Sequence, residues 1–140
     1  MRSLKVFVGF VLPLICLPLS GKAQTIVLGT PMLSAAVGTS SATTTTVVAG
    51  AVGKVINVYH WDFLVGATTN TVTWEYGTTT STPCDTGTTT LTGGYVFGAN
   101  GGMSVGNGEG NIWTLPGSAS LCVVTTSASA SAGSVSYRIH

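Results

Sequence analysis

KVINVYHWDFLV, residues 54–65, decides the fold. At period two, Val55, Tyr59, Trp61, Phe63 and Val65 fall on one face, with Asn57 as its polar exception. Alternation of this kind marks a strand with one face buried. A few residues on, Thr69–Tyr76 alternates again, with Val72, Trp74 and Tyr76 on one side and Thr71, Thr73 and Glu75 on the other. Outward from this pair, strands are expected at Thr43–Ala49, Thr88–Thr92, Tyr95–Phe97, Met103–Val105, Asn111–Leu115, Ser120–Thr126 and Ser131–Ile139. The last alternates through Val135, Tyr137 and Ile139. Asn100-Gly101, Asn107-Gly108 and Pro116-Gly117 are turn signals between them, and Gly77–Gly87 reads as a Thr-rich loop carrying Pro83 and Cys84. No stretch sustains a helical period, so the crossover helices of a parallel sheet are missing. About eight short strands punctuated by turns predict an all-β domain, an antiparallel β-sandwich or jelly roll. It is expected over residues 43–140, with 24–42 as a flexible N-terminal arm or an edge strand.

Charge is sparse and unevenly placed. Of 140 residues, 6 % are charged, five basic and four acidic, against roughly a quarter in an average domain. Arg2, Lys5 and Lys22 stand at the start, where Val6–Leu19 is an apolar run and Gly21-Lys22-Ala23 places small residues at a peptidase site. Residues 1–23 thus read as a secretory signal peptide. The run is shorter than the ~20 apolar residues a membrane span needs and is broken by Pro13 and Pro18, so no stable span is expected after cleavage. Beyond it, Lys54 and Arg138 face Asp62, Glu75, Asp85 and Glu109, a net charge of −2. Clustered Lys and Arg are absent, which excludes a nucleic-acid-binding surface.

An exported chain meets an oxidising compartment, the periplasm or the outside of the cell. Cys84 and Cys122 remain after cleavage, and an even pair in that setting reads as a disulfide. Two cysteines with two distant histidines do not make a zinc site; no metal or cofactor is expected.

Three patterns look catalytic, and each has a plainer reading. Asp85-Thr86-Gly87-Thr88-Thr89 spells an aspartic-protease signature, which would need two Asp85 carboxylates sharing a proton across a dimer. Ser81-Thr82-Pro83-Cys84 before it reads as loop, where an Asp caps its own backbone. Gly102-Met103-Ser104-Val105-Gly106 matches a nucleophile elbow, followed by Glu109 and His140, but that motif works at a strand–turn–helix of a large α/β sheet. His60 and Asp62 share a strand face and would suit a metal or a proton transfer, with no third ligand in view. Trp61, Trp74 and Trp113 are candidate surface or interface aromatics and a carbohydrate platform if exposed, although tryptophans at strand-alternating positions are more often core or subunit interface.

Two stretches carry a family pattern. Thr45-Thr46-Val47-Val48-Ala49-Gly50-Ala51-Val52-Gly53-Lys54-Val55-Ile56-Asn57-Val58 is similar to a TTVVAAVAGKKIRV opening. Glu75-Tyr76-Gly77, Cys84–Gly93, Gly117, Leu121-Cys122 and Gly133–Tyr137 are similar to a YGTG…CxTGTTxLTG…LC…GxVSY layout. In both, the chain resembles small, phage-encoded, virion- or tail-associated proteins. The resemblance implies a small, trimeric β-sandwich displayed on a particle or fibre. Thr, Ser and Ala stand at many strand positions where a monomer wants larger apolar groups, and this too points to a homo-oligomer, with a trimer favoured. The expected function is therefore a non-enzymatic structural or interaction protein, exported or on a virion surface. A secreted carbohydrate-binding or adhesive module is the alternative, and a homodimeric aspartic protease using Asp85 a remote one.

Overall fold

Where alternation is unbroken, the side chains fall as the pattern predicts. The computed structural model describes residues 29–107 and 109–140; the expected signal peptide at 1–23 lies outside them, as do residues 24–28 of the arm. Along β4 (Asn70–Thr78), Val72 and Trp74 are buried and Tyr76 packs against the same core, while Thr71, Thr73 and Glu75 face outward. Asn70 is also buried, and its Oδ1 accepts the backbone N–H groups of Thr126 and Ser127 at 3.0 and 3.1 Å. A buried amide satisfied in this way avoids the desolvation penalty of an orphaned one.

β3 (Ile56–Val65) corrects the expected face in its first half. Its buried positions are Ile56 and Val58, then Trp61, Phe63 and Val65. The phase slips because Tyr59 is an extra residue: against the neighbouring strand β10 (Ser131–Ile139), Tyr137 pairs with Val58 but Ser136 pairs with His60. Such a bulge moves every preceding side chain to the opposite face, so Val55 and Tyr59 leave the predicted inner row and Asn57 is no longer an exception on it.

The remaining strands are β1 (Leu33–Thr39), β2 (Thr44–Val48), β5 (Thr86–Thr90), β6 (Tyr95–Phe97), β7 (Gly102–Val105), β8 (Trp113–Leu115) and β9 (Ser120–Thr125). Among the described residues these ten form two five-stranded antiparallel sheets, in place of the eight or so expected. One sheet runs β1-β10-β3 and then β7, with β8 beside the other end of β3; the second runs β2-β9-β4 and then β5, with β6 likewise beside β4. Read as a whole, β1 pairs β10, β2 pairs β9, β3 pairs β7 and β8, and β4 pairs β5 and β6. The chain is thus one long hairpin rolled up on itself, which is the connectivity of a jelly roll. Of the two readings of residues 24–42, an edge strand occurs at Leu33–Thr39, so the sandwich begins ahead of residue 43.

Between the sheets lies an aromatic cluster. Trp61 and Trp74 are 0 % exposed with ring centroids 5.3 Å apart. Half-buried Trp113 stacks on Trp61 at 6.1 Å, and Phe63 meets Trp74 edge-on at 6.3 Å. Of the alternatives core, interface and exposed platform, Trp61 and Trp74 take the core. Each ring removes ~200 Å² from water, worth roughly 5 kcal/mol. That outweighs the about 1–3 kcal/mol cost of an indole N–H left without a partner, which is the case for both.

The Cys84–Cys122 disulfide ties the Thr-rich loop to β9. No helix among the described residues is long and apolar enough to cross a membrane.

Candidate functional site

Ionisable side chains gather on the outer face of the β1-β10-β3-β7 sheet. The Tyr59 bulge sets this up, because beyond it His60, Asp62 and Leu64 point away from the core. β10 adds Ser134 and Ser136 in register with Asp62 and His60, and β7 adds Ser104 opposite Asp62. Two short hydrogen-bonded groups result. His60 Nε2 lies 2.9 Å from Ser104 Oγ. The backbone N–H of Ser134 donates to Asp62 Oδ1 at 3.0 Å, and the Ser134 hydroxyl donates to Oδ2. Farther along the face, the Arg138 guanidinium sits over the Tyr59 ring, 5.1 Å from its centroid, a cation–π contact on the bulged residue.

Sequence motifs thus meet in a way that their spacing did not show. Ser104, read as an elbow nucleophile with Glu109 and His140, finds His60 instead. Glu109 lies in an exposed loop where its backbone N–H donates to Asn107 Oδ1 at 3.0 Å, and His140 Nδ1 lies 3.4 Å from Thr30 Oγ1. A hydroxyl–imidazole pair needs an acid to orient the ring and donors to hold an oxyanion. Asp62 shares the face with His60, yet both of its oxygens are taken by Ser134. Ser104 rests on a strand, and no helix follows it among the described residues. Among the described residues, no three His, Cys, Asp or Glu side chains converge as metal ligands.

Asp85 is committed to its loop. It accepts the backbone N–H groups of Thr80, Ser81 and Thr82 at 2.9, 2.9 and 3.0 Å and the hydroxyls of Thr80 and Ser81 at 2.8 Å each. The Thr82, Ser81 and Thr80 amides, then the Thr80 hydroxyl, hold its carboxyl far below the usual range. A protease aspartate must share a proton near working pH; this one is held ionised. On the outer face of β4, partial burial pushes the Glu75 carboxyl up.

Concave surface lies elsewhere. A groove of about 200 Å³ opens at one end of the sandwich, between Leu64, Asn100 and Ala132. A cleft of about 300 Å³ opens beside Gly50, Thr79 and Ser120. Neither is lined by an ionisable side chain. Comparison with protein-family models, curated proteins and solved structures returns no match.

Proposed function

We propose that the chain is a non-enzymatic, self-associating structural protein, exported from the cell or carried on the surface of a phage particle. The observation that carries this reading is the separation of chemistry from concavity. His60 and Asp62 sit on an open sheet face and Asp85 inside loop hydrogen bonds, while the groove at Leu64 and Ala132 and the cleft at Gly50 and Ser120 are lined only by neutral side chains. A reaction needs its acid, base and substrate in one water-poor place. Jelly rolls recur in capsid and lectin domains, which is an analogy of fold, and the resemblance of the sequence to small phage virion proteins supports the same reading. Mass spectrometry of gradient-purified particles from the producing cells tests it. The chain should appear in the particle fraction in many copies; its recovery only from particle-free periplasm or medium contradicts a virion role.

The outer face of the β1-β10-β3-β7 sheet favours a second reading, an adhesive module. Tyr59, Arg138, His60 and Asp62 offer a ring, a cation and hydrogen-bonding groups on one surface, whereas two of the three tryptophans are unavailable in the core. Glycan-array binding that Tyr59→Ala abolishes would support it, and an array without signal would reject it.

A further inference from the structure

We infer that self-association runs through β1, which pairs antiparallel with β1 of a second copy across a two-fold axis at Ala36. This deepens the proposed function and rests on its self-associating part.

Edge strands expose unpaired N–H and C=O groups, and proteins blunt them with charge, proline, bulges or brevity. The edges of this sandwich can be compared one by one. β2 has a register shift between Thr46 and Val48. β5 has one opposite Tyr76 and Thr78, and carries Gly87 at a φ of 62°. β6, β7 and β8 are three or four residues long. β1 alone among the described edges has none of these protections. Its seven residues, LSAAVGT, contain no charge and no proline, and they hold an unbroken register with β10 from Leu33–Tyr137 to Thr39–Ser131. No described strand covers its far side.

The strand also complements itself. Pairing about Ala36 sets Ala35 opposite Val37, Ser34 opposite Gly38 and Leu33 opposite Thr39. Leu33 is 38 % exposed although it lies on the inward row with Ala35 and Val37. In the pair it sits diagonal to the Val37 of the second copy, within reach for a long side chain. The core row of one sheet then continues into the other. The outer row is Ser34, Ala36 and Gly38, too small to obstruct approach, and no like charges meet. One edge joined to itself closes as a dimer, whereas the sequence points to a trimer, so stoichiometry distinguishes them.

The test is a charge reversal. A Cβ at Gly38 meets nothing within 4 Å, and Ser34 and Ala36 are exposed, so side chains fit there in the monomer. The purified protein, sized by sedimentation at micromolar concentration, should be a dimer. Ser34→Lys with Gly38→Lys places like charges opposite each other twice and should weaken the dimer about tenfold or more. Ser34→Lys with Gly38→Glu places opposite charges there and should restore it. Ala36→Cys, which asks less of the fold, should give an interchain disulfide on a non-reducing gel. A trimer, or a dimer that neither charge pair alters and Ala36→Cys does not cross-link, overturns the β1 assignment and leaves self-association standing. A monomer overturns both.

Discussion

His60 Nε2 and Ser104 Oγ stand 2.9 Å apart, joining β3 to β7 across 44 residues of chain. The pair is exposed, and water competes for both groups, so the contact contributes at the low end of the about 0.5–1.5 kcal/mol typical of a hydrogen bond. Ser104→Ala should therefore lower the unfolding free energy measured in urea only slightly, by less than about 1 kcal/mol. Activated-ester hydrolysis by the purified protein should be the same for Ser104→Ala as for the parent. A rate that falls a hundredfold in the variant would mean that Ser104 is a nucleophile after all.

Asp85 predicts the acid response of the fold. Its folded value lies below the unfolded value of about 3.9, so the stabilisation is present above that pH and is lost as pH falls below it. Urea unfolding between about pH 6 and pH 2 should show the stability gap between the parent and Asp85→Asn closing on the acid side. A gap that is constant with pH would mean that the amides of Thr80, Ser81 and Thr82 do not distinguish the carboxylate from its neutral isostere.

Trp61 separates packing from hydrogen bonding. Trp61→Ala empties the centre of the core and should cost about 3–5 kcal/mol. Trp61→Phe loses less volume and also removes the buried N–H that has no partner, so it should cost only about 1–2 kcal/mol. Equal losses in thermal or urea unfolding would show that a partner for the indole N–H contributes as much as the ring.

Reduction of Cys84–Cys122 frees a loop with a sequence separation of 38. Chain entropy alone makes such a link worth about 3–4 kcal/mol. Cys84→Ser with Cys122→Ser should lower the unfolding free energy by that order and leave the β-sheet circular dichroism unchanged under native conditions. Loss of the sheet signal in the absence of denaturant would mean that the core cannot hold the roll without the link.

Legibility along this chain followed the regularity of alternation. β4 was readable because Val72, Trp74 and Tyr76 keep one phase up to the irregularity that follows Tyr76. β3 was readable only beyond Tyr59, since a bulge is a property of two strands: the mismatch between Val58–Tyr137 and His60–Ser136 cannot be seen in β3 alone. β5 begins at Thr86 rather than Thr88 because a run of threonines has no apolar phase to set its start. The disulfide was legible from cysteine parity and compartment. His60 and Ser104 were each noticed, but as members of different motifs. Only the rolled-hairpin topology, which puts β7 beside the second half of β3, brings them together. Trp61 and Trp74 stand in apolar rows, which favours core or interface over an exposed platform, and both are buried in the core; alternation tells which residues share a face but not whether that face meets the second sheet or another subunit.

Sedimentation of the purified protein across the micromolar range tests the central claim most directly. A self-associating sandwich predicts a species of at least two chains that dissociates on dilution. A compact monomer at every concentration would contradict it.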